Sequence, residues 1–296
     1  MRTYPYFDAH CDTLYRCELE GWDIWENPGH VDLKRLSAFE PMGQVFALWT
    51  NSAGKTSEEC WKTLCAQVEP YFSARTKNPE LLKNCCLSIE GAELFGCDTE
   101  RLPMLKEWGV RWINLTHNQI NELGFPHTTD KGLTEKGKAF AKRAKELGIY
   151  IDVAHLSERG FWDLMETIDG PIVDSHCNSR DLMNHTRNIW DNQAKEIIAR
   201  KGFIGMSLYH GFIGENPTVD DLVRHVEHFL ELGAEDCLGL GGDLDGADLL
   251  LEDIPVVENV PKLWEALYRR NYSEELVYKL AYGNLDEFLK RPAGKL

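Results

Sequence analysis

The sequence has little that would mark a nucleic-acid-binding or membrane-spanning protein. Basic residues are scarce: 32 Lys and Arg stand against 48 Asp and Glu, which gives a formal net charge of −16 at pH 7. Such an acidic chain repels a phosphate backbone, and no basic stripe offsets the charge, so we expect no binding to nucleic acid. No window approaches the roughly 18 uninterrupted apolar residues that indicate a membrane span, so we expect no membrane insertion.

Signals for export and for cysteine-based sites are also missing. Residues 1–12 contain a single Arg2 with no apolar stretch behind it, which does not resemble a secretory signal. The nine cysteines are an odd number, are scattered, and form no CxxC pair, which excludes zinc-finger and thioredoxin-like motifs. Because free thiols suit a reducing compartment, we expect a cytoplasmic protein.

The chain also lacks a Pro/Ser/Gly-rich linker and a glycine-rich phosphate loop near its start, and the second absence argues against an open doubly wound sheet. Short apolar runs instead alternate with helix-length amphipathic segments. The predicted strands are Tyr6–Cys11, Gln44–Trp49, Leu87–Glu90, Arg111–Thr116, Tyr150–Ala154, Ile172–Ser175, Phe203–Leu208 and Cys237–Gly241. The predicted helices include Ser57–Phe72, Glu135–Leu147, Glu158–Thr167, Asp191–Lys201, Val219–Leu232 and a terminal helix, Ser273–Lys290.

Eight strands that alternate with helices predict an α/β fold, a closed (β/α)₈ TIM barrel. We expect residues 1–296 to form a single barrel domain with a C-terminal helix, in which Ser273 is the N-cap. The segments Arg180–Asn192 and Leu244–Pro261 are predicted to be long polar loops within this domain.

Histidines and acidic residues recur where the predicted strands end, which is the edge where barrel enzymes build their active sites. His10 and Asp12 are two residues apart, so in an extended strand they point to the same face and can bind one cation. Taken alone, the HxD pattern is weak, because a purely structural role is commoner.

Glu90 closes the third predicted strand and His117 follows the fourth. Each alone would more often be a solvated or loop-bonding residue. His155 and His176 form a stronger signal, because two consecutive strands end in a histidine with a separation of 21 residues, a fitting length for one barrel repeat. Packing alone explains such a pair poorly.

Asp243 lies in the glycine-rich turn after the last strand, where it would point into the barrel mouth. The five candidate metal ligands are His10, Asp12, Glu90, His155 and His176. Five exceed the need of one catalytic zinc, so we expect two metals that share Glu90 as a bridge. Paired metals about 3.5–4 Å apart can acidify a bridging water and polarise a carbonyl. Asp243 would then transfer a proton and His117 would face the oxyanion, which predicts metal-assisted hydrolysis.

These residues belong to a series of short motifs that spans nearly the full chain. The motifs are His10/Asp12, Glu90-Gly91, Leu115-Thr116-His117, Asp152-Val153-Ala154-His155-Leu156-Ser157, Ser175-His176, Arg187-Asn188 and Gly241–Gly246. In this order and spacing the sequence resembles the renal (membrane) dipeptidase family, a branch of the amidohydrolase-like barrels of the metal-dependent hydrolase type.

The resemblance implies a role for each matched residue. His10 and Asp12 would bind one zinc, His155 and His176 would bind the other, and Glu90 would bridge. Asp243 would be the acid and base, and His117 would face the scissile carbonyl and the tetrahedral intermediate. The resemblance also implies that Arg187 takes the free carboxylate of a dipeptide, which a guanidinium can hold bidentately.

Three positions depart from the family pattern. Trp190 stands where proline is common, Phe212 where some members have a substrate-contacting tyrosine, and Cys11 where the animal enzymes have asparagine. The animal proteins also carry a secretion signal and a lipid anchor, which this sequence does not show. Because the proposed metal ligands are unchanged, these departures bear on substrate preference.

The sequence therefore predicts a zinc-dependent dipeptidase with two Zn²⁺ or other divalent ions and a small dipeptide substrate, including dipeptides with a C-terminal D-residue. An alternative is a related binuclear hydrolase that acts on an N-acyl amino acid, a lactone or a phosphoester. Arg187 favours a substrate with a carboxylate, which argues against a phosphotriester. A third is a non-catalytic metal-bound sensor. Related enzymes are often dimers, so a homodimer is one option, and the sequence leaves the oligomeric state open.

The other histidines are predicted to lie in loops or on helix surfaces, with His185 the nearest of them to the pocket. This set comprises His30, His127, His185, His210, His225 and His228.

Overall fold

The computed structural model describes residues 3–291, in which eight parallel strands close into a barrel in the order β1 to β8. The strands are β1 (Tyr6–Cys11), β2 (Met42–Leu48), β3 (Cys86–Ile89), β4 (Val110–Asn114), β5 (Tyr150–Asp152), β6 (Val173–Cys177), β7 (Phe203–Met206) and β8 (Leu238–Leu240). Pairing of Asp8 in β1 with Leu240 in β8 completes the ring. The predicted (β/α)₈ TIM barrel and all eight predicted strands are confirmed.

Helices lie between the strands and around the barrel. They are α1 (Thr13–Glu20), α2 (Leu33–Leu36), α3 (Ser57–Lys77), α4 (Leu102–Glu107), α5 (Glu135–Glu146), α6 (Glu158–Thr167), α7 (Asp191–Ala199), α8 (His210–Ile213), α9 (Val219–Glu231), α10 (Pro261–Arg269), α11 (Glu274–Tyr278) and α12 (Asn284–Lys290). No helix among residues 3–291 combines the length and the apolar character that a membrane crossing requires.

The five helices predicted between strands are all present, and α3 runs five residues beyond its predicted end despite Pro70. Sequence analysis did not identify α1, α2, α4, α8 or α10, because helices of four to nine residues offer too few turns for a clear period. Ser273 caps the terminal helix as predicted and accepts a hydrogen bond from the backbone N–H of Leu276. A π-helical turn at Lys279–Gly283 divides that helix into α11 and α12.

Two apolar layers hold the barrel together. One large cluster lies between the strands and the surrounding helices. A second fills the N-terminal end of the barrel interior with residues such as Phe7, Trp112 and Phe203, and the terminal helix closes this end with Tyr282 and Phe288. The apolar plug leaves the opposite, C-terminal end of the barrel for polar side chains, as in other barrel enzymes.

The last two strands approach β6 too closely for side chains at two positions. A Cβ added to Gly205 or Gly241 would lie 2.0 or 1.8 Å from the backbone oxygen of Ser175. Because the neighbouring atom belongs to the backbone, it cannot move away cheaply. Glycine at these positions therefore allows β6, β7 and β8 to converge beside His176.

We expect Gly241→Ala to destabilise the protein, because the new methyl group would push β8 away from β6. Overpacking of this kind costs about 1–3 kcal/mol. Thermal unfolding under fixed metal conditions should show a lower Tm. Gly214→Ala is the matched control, since its Cβ would meet only Pro217 at 3.9 Å. Equal Tm values for the two variants would contradict the close approach.

Candidate active site

The C-terminal ends of the strands bring the predicted site residues together at one mouth of the barrel. His10 is the second-last residue of β1 and Asp12 directly follows this strand, Glu90 follows β3, and His176 lies in the bulged end of β6. The other three follow β4, β5 and β8 and are His117, His155 and Asp243. Four of these residues are less than 5% exposed, namely His10, Asp12, Glu90 and His176.

Glu90 lies at the centre of this cluster. Its Oε1 atom is 2.9 Å from Nε2 of His155, 3.4 Å from Nε2 of His176 and 3.7 Å from Nε2 of His10. Nε2 of His10 is also 3.2 Å from Oδ2 of Asp12. Three groups of possible metal ligands occur here, and within each group the ligand atoms lie within 4.8 Å of one another. The groups are His10, Asp12 and Glu90; Glu90, His117 and His155; and His10, His176 and Asp243.

Buried aspartates hold the strand ends that present these histidines. Oδ1 of Asp8 accepts hydrogen bonds from the backbone N–H groups of His10 at 2.9 Å and Gly242 at 2.8 Å. Oδ1 of Asp152 accepts in the same way from Ala154 and Ser175. These carboxylates satisfy backbone donors where the strand ladder is interrupted. Sequence analysis did not assign them a role, although an aspartate two or three residues before each ligand histidine was a readable signal.

Two site residues have an unusual backbone conformation. His155 has φ 67° and Asp243 has φ 59°, in the left-handed region that residues other than glycine rarely adopt. Such strain costs about 1–3 kcal/mol and persists where surrounding contacts enforce it. The chain therefore turns sharply after β5 and β8, and these turns direct both side chains toward Glu90.

Burial shifts the acid-base properties of the carboxylates. Desolvation raises the pKa of Glu90 well above its usual range, and it raises the pKa of Asp243 to about 7. Removing carboxylates from water without enough positive charge nearby is unfavourable, and a cation would relieve it.

The histidines respond in two ways. Burial, aided by the positive charge of Arg187, lowers the pKa of His155 well below its usual range, and burial with the positive charge of His10 does the same to His176. Both rings are therefore neutral and offer a lone pair. Burial opposes charge on His10 too, but Glu90 and the neighbouring carboxylates outweigh it and raise the pKa of His10 to about 10.

The residues present fit a divalent metal. Nitrogen and carboxylate oxygen atoms in this combination suit Zn²⁺ and similar ions. Oδ1 of Asp12 is buried and has no hydrogen-bond partner among the described residues, so a lone pair on this oxygen is available. His10, Asp12, Glu90, His155 and His176 are the residues that could hold metal.

A cleft of about 470 Å³ opens above the cluster. Its walls include Trp49, Tyr209 and Phe212, and its floor includes Glu90 and Asp243. A cleft of this volume, apolar at its walls and charged at its floor, suits a small polar molecule.

Arg187 lies at the side of the cluster. Its Nη2 donates a hydrogen bond to the backbone oxygen of His176 at 3.2 Å, and its guanidinium carbon is 5.5 Å from the centre of the Phe212 ring. It lines a neighbouring cavity of about 640 Å³ rather than the cleft itself. Its Nε is buried and has no hydrogen-bond partner among residues 3–291, so this donor remains available.

Two predictions about the remaining histidines are wrong in part. His225 is only 2% exposed and therefore does not lie on a helix surface. Its buried ring accepts a hydrogen bond from the backbone N–H of Ser179 and contacts the backbone oxygen of Ile213. His127 lies in a loop as predicted, but this loop reaches the edge of the site, because the backbone N–H of His127 donates to the backbone oxygen of His155 at 2.7 Å. His185 lies beside the cleft wall, with its ring 4.7 Å from that of Phe212.

Comparison with known proteins gives consistent matches. The model of the membrane dipeptidase family, peptidase family M19, matches residues 1–291. A protein from Klebsiella pneumoniae, described as an uncharacterized protein in the pqqA 5′ region, is 30% identical over 68% of this chain and 79% of its own length.

Solved structures of similar proteins extend this result. The crystal structure of dipeptidase AC, a metallopeptidase of family M19, has a TM-score of 0.89 at 26% identity and covers 99% of this chain and 100% of its own. A metallopeptidase from Rhodobacter sphaeroides, liganded with a phosphinate mimic of the dipeptide L-Ala-D-Ala, has a TM-score of 0.88 at 25% identity and covers 98% of this chain and 100% of its own. This chain belongs to the membrane dipeptidase family, peptidase family M19, and is a metallo-dipeptidase.

Proposed function

We propose that this chain is a zinc-dependent dipeptidase that hydrolyses the peptide bond of small dipeptides, including those with a D-residue at the C-terminal position. The observation that carries the proposal is the position of Glu90 Oε1, with Nε2 atoms of three histidines within 3.7 Å. Three ring nitrogens around a carboxylate oxygen form a donor set suited to zinc. The dipeptide mimic in the Rhodobacter sphaeroides metallopeptidase supports both the substrate class and the D-residue.

Two zinc ions would be held by five residues. His10 and Asp12 would bind one, His155 and His176 would bind the other, and Glu90 would bridge them. When bound, paired ions of this kind acidify a water molecule and polarise the substrate carbonyl. The convergence of the other four residues on the carboxylate of Glu90 supports two metal sites that share this residue.

Asp243 and His117 would perform the proton and charge chemistry. The pKa of Asp243, raised to about 7 by burial, suits a carboxylate that accepts a proton from water and delivers it to the leaving amine. Burial and the charge of Arg187 lower the pKa of His117 to about 3, so this ring is neutral and can donate an N–H to the carbonyl oxygen.

Arg187 would bind the C-terminal carboxylate of the dipeptide. The Nε donor without a partner and the contact of the guanidinium with Phe212, a residue of the cleft wall, support this role. Because one Nη2 hydrogen bond to the backbone of His176 fixes the guanidinium, little side-chain freedom would be lost when substrate binds.

We further propose a cytoplasmic location and a homodimer. All nine cysteines are free, and seven are buried. Unpaired thiols suit a reducing compartment, which supports the location. Sedimentation of the purified chain would test the dimer.

Metal content tests the shared bridge. Metal-replete wild-type protein should carry close to two divalent ions per chain, and Glu90→Gln should weaken both sites because the amide is a poor bridging ligand. His176→Ala should chiefly affect one. Elemental analysis after dialysis against buffered zinc measures this. At most one ion in the wild type, or the loss of only one site in Glu90→Gln, would argue against the bridge.

Replacement of Asp243 separates chemistry from metal binding. Asp243→Asn should keep most of its metal yet lose about 10²- to 10⁴-fold in kcat, because an amide cannot relay a proton. Metal content and kcat must be measured in the same sample. Asp248→Asn, an exposed position in the same cleft, is the matched control. Near-normal turnover in Asp243→Asn would remove this residue from the mechanism.

The role of Arg187 predicts a preference for substrates with a free carboxylate. Neutral dipeptides should be cleaved better than their C-terminal amides by about 10- to 150-fold, which corresponds to about 1.5–3 kcal/mol for a charged contact. In Arg187→Ala this ratio of kcat/KM values should fall towards one, and Arg187→Lys should restore only part of it.

The matched control is Arg180→Ala, since Arg180 lines the same neighbouring cavity but packs over Trp190. The panel should also include an N-acyl amino acid and a lactone. Turnover of either without turnover of any dipeptide would overturn the proposed function. An unchanged dipeptide-to-amide ratio in Arg187→Ala would mean that another group binds the carboxylate.

A further inference from the structure

We propose that Asn118 is a positioning residue of the active site, whose side-chain amide fixes where three imidazole rings carry their protons. The three rings are those of His117, His127 and His155. This inference rests on the proposed function, because it takes His155 as a metal ligand and His117 as the group that faces the carbonyl.

The amide of Asn118 contacts all three rings. Its Oδ1 atom is 2.8 Å from Nδ1 of His155 and 3.3 Å from Nε2 of His127. Its Nδ2 atom is 3.4 Å from Nε2 of His117. One side chain therefore joins a proposed metal ligand, a proposed catalytic ring and a third histidine at the edge of the site.

The orientation of the amide determines the tautomer of His155. An amide oxygen only accepts hydrogen bonds, so Nδ1 of His155 must carry a proton and Nε2 must keep its lone pair. Nε2 is the atom that faces Glu90 Oε1 at 2.9 Å and His176 Nε2 at 3.1 Å. The reverse orientation would place a donor against Nδ1, move the proton to Nε2, and block metal binding.

His127, on the far side of the network, can complete the hydrogen bonds that this orientation of the amide requires. With Nε2 of His127 protonated towards Asn118, its Nδ1 accepts a hydrogen bond from the hydroxyl of Thr186 at 2.7 Å. The backbone N–H of His127 also donates to the backbone oxygen of His155. His127 is thus fixed by a side chain and by the backbone, and it offers Asn118 a second donor.

The Nδ2 group of the Asn118 amide contacts the ring of His117. Because Nδ2 of Asn118 is a donor, Nε2 of His117 is the acceptor and the proton of this neutral ring lies on Nδ1. The same amide therefore fixes the lone pair of one histidine and the proton of another.

Asn118 matters to His155 because it is the hydrogen-bond partner of the Nδ1 atom of that ring, whereas the hydrogen bond from His127 holds only the backbone. His155 follows β5 in a left-handed conformation, outside the strand ladder. For His176 the equivalent Nδ1 contact comes from its own neighbour, Ser175 Oγ, at 2.8 Å. Asn118 itself is exposed in the cleft wall, so its side chain can be replaced without opening the core.

Two substitutions separate the acceptor from the donor. Asn118→Ala removes both, whereas Asn118→Asp keeps an acceptor for His155 and loses the donor to His117. Gln119→Ala, an exposed neighbour in the same loop, is the matched control. Zinc affinity is measured by competition with a chromogenic chelator, and kcat and KM are measured with a neutral dipeptide.

We expect zinc affinity to fall about 10- to 100-fold in Asn118→Ala, the range for loss of an outer partner of a metal-binding histidine. In Asn118→Asp, zinc affinity should stay within threefold of the wild type or increase, while kcat falls more than tenfold. In metal-free protein, ¹⁵N shifts of His155 should report a proton on Nδ1 in the wild type and a mixture of tautomers in Asn118→Ala. The Tm should remain unchanged throughout.

Three results would overturn the inference: zinc affinity within threefold of the wild type in Asn118→Ala, equally weak zinc binding in both variants, or wild-type kcat in Asn118→Asp. If the wild type cleaves no dipeptide, the proposed function fails, but the chelator competition and the ¹⁵N shifts still test the effect of Asn118 on His155.

Discussion

A carboxylate removed from water dominates the mouth of the barrel. Glu90 is 4% exposed, and its nearest neighbours include Asp12 and Asp243, whose negative charges add to the unfavourable energy. His10 and Arg187 offset part of this negative charge, whereas the neutral rings of His155 and His176 offset none of it. Buried charge that is not fully compensated is unfavourable. A divalent cation at this place would supply the missing charge, and the rest of the site is arranged to make such binding geometrically possible.

The barrel provides that arrangement through aspartates that take no part in the cluster. Asp8 and Asp152 accept backbone N–H groups from their own strand and from the neighbouring one, so each pins two strand ends together. Desolvation raises the pKa of Asp8 to about 6 even though these N–H donors and the Tyr6 hydroxyl favour its charged form. Burying these aspartates is therefore unfavourable by itself. In return, their hydrogen bonds fix the strand ends that carry His10, His155 and His176.

The eight strands and the residues gathered at the barrel mouth were predictable from the sequence because their signals are local, whereas the roles of Asp8 and Asp152 were not predicted. Each strand is a short apolar run, and each proposed ligand follows its strand directly, so the closure of a parallel barrel was enough to gather them. The predicted strands extend two residues past the observed ends of β4, β5 and β7. The residues after Asn114, Asp152 and Met206 leave the hydrogen-bond ladder and turn towards the site.

Features that depend on contacts between distant loops could not be predicted in the same way. Asn118 and His127 meet only because two separate segments of the β4–β5 connection fold over His155. His225 was assigned to a surface because helical periodicity does not show that the loop at Ser179 covers that face of α9. The family pattern indicated Arg187, but not that it would line a second cavity beside the cleft.

The charge of the completed site links metal binding to substrate choice. Asp12, Glu90 and Asp243 contribute three negative charges when ionised, and the neutral rings of His155 and His176 contribute none. One divalent ion would leave this group negative, whereas two would leave it positive. A dipeptide with a free carboxylate would then approach a local positive potential, reinforced by Arg187, within a protein whose net charge is −16. The proposed pair of metals and the proposed carboxylate recognition thus depend on the same electrostatic balance, since the acidic surface alone would repel the carboxylate of the dipeptide.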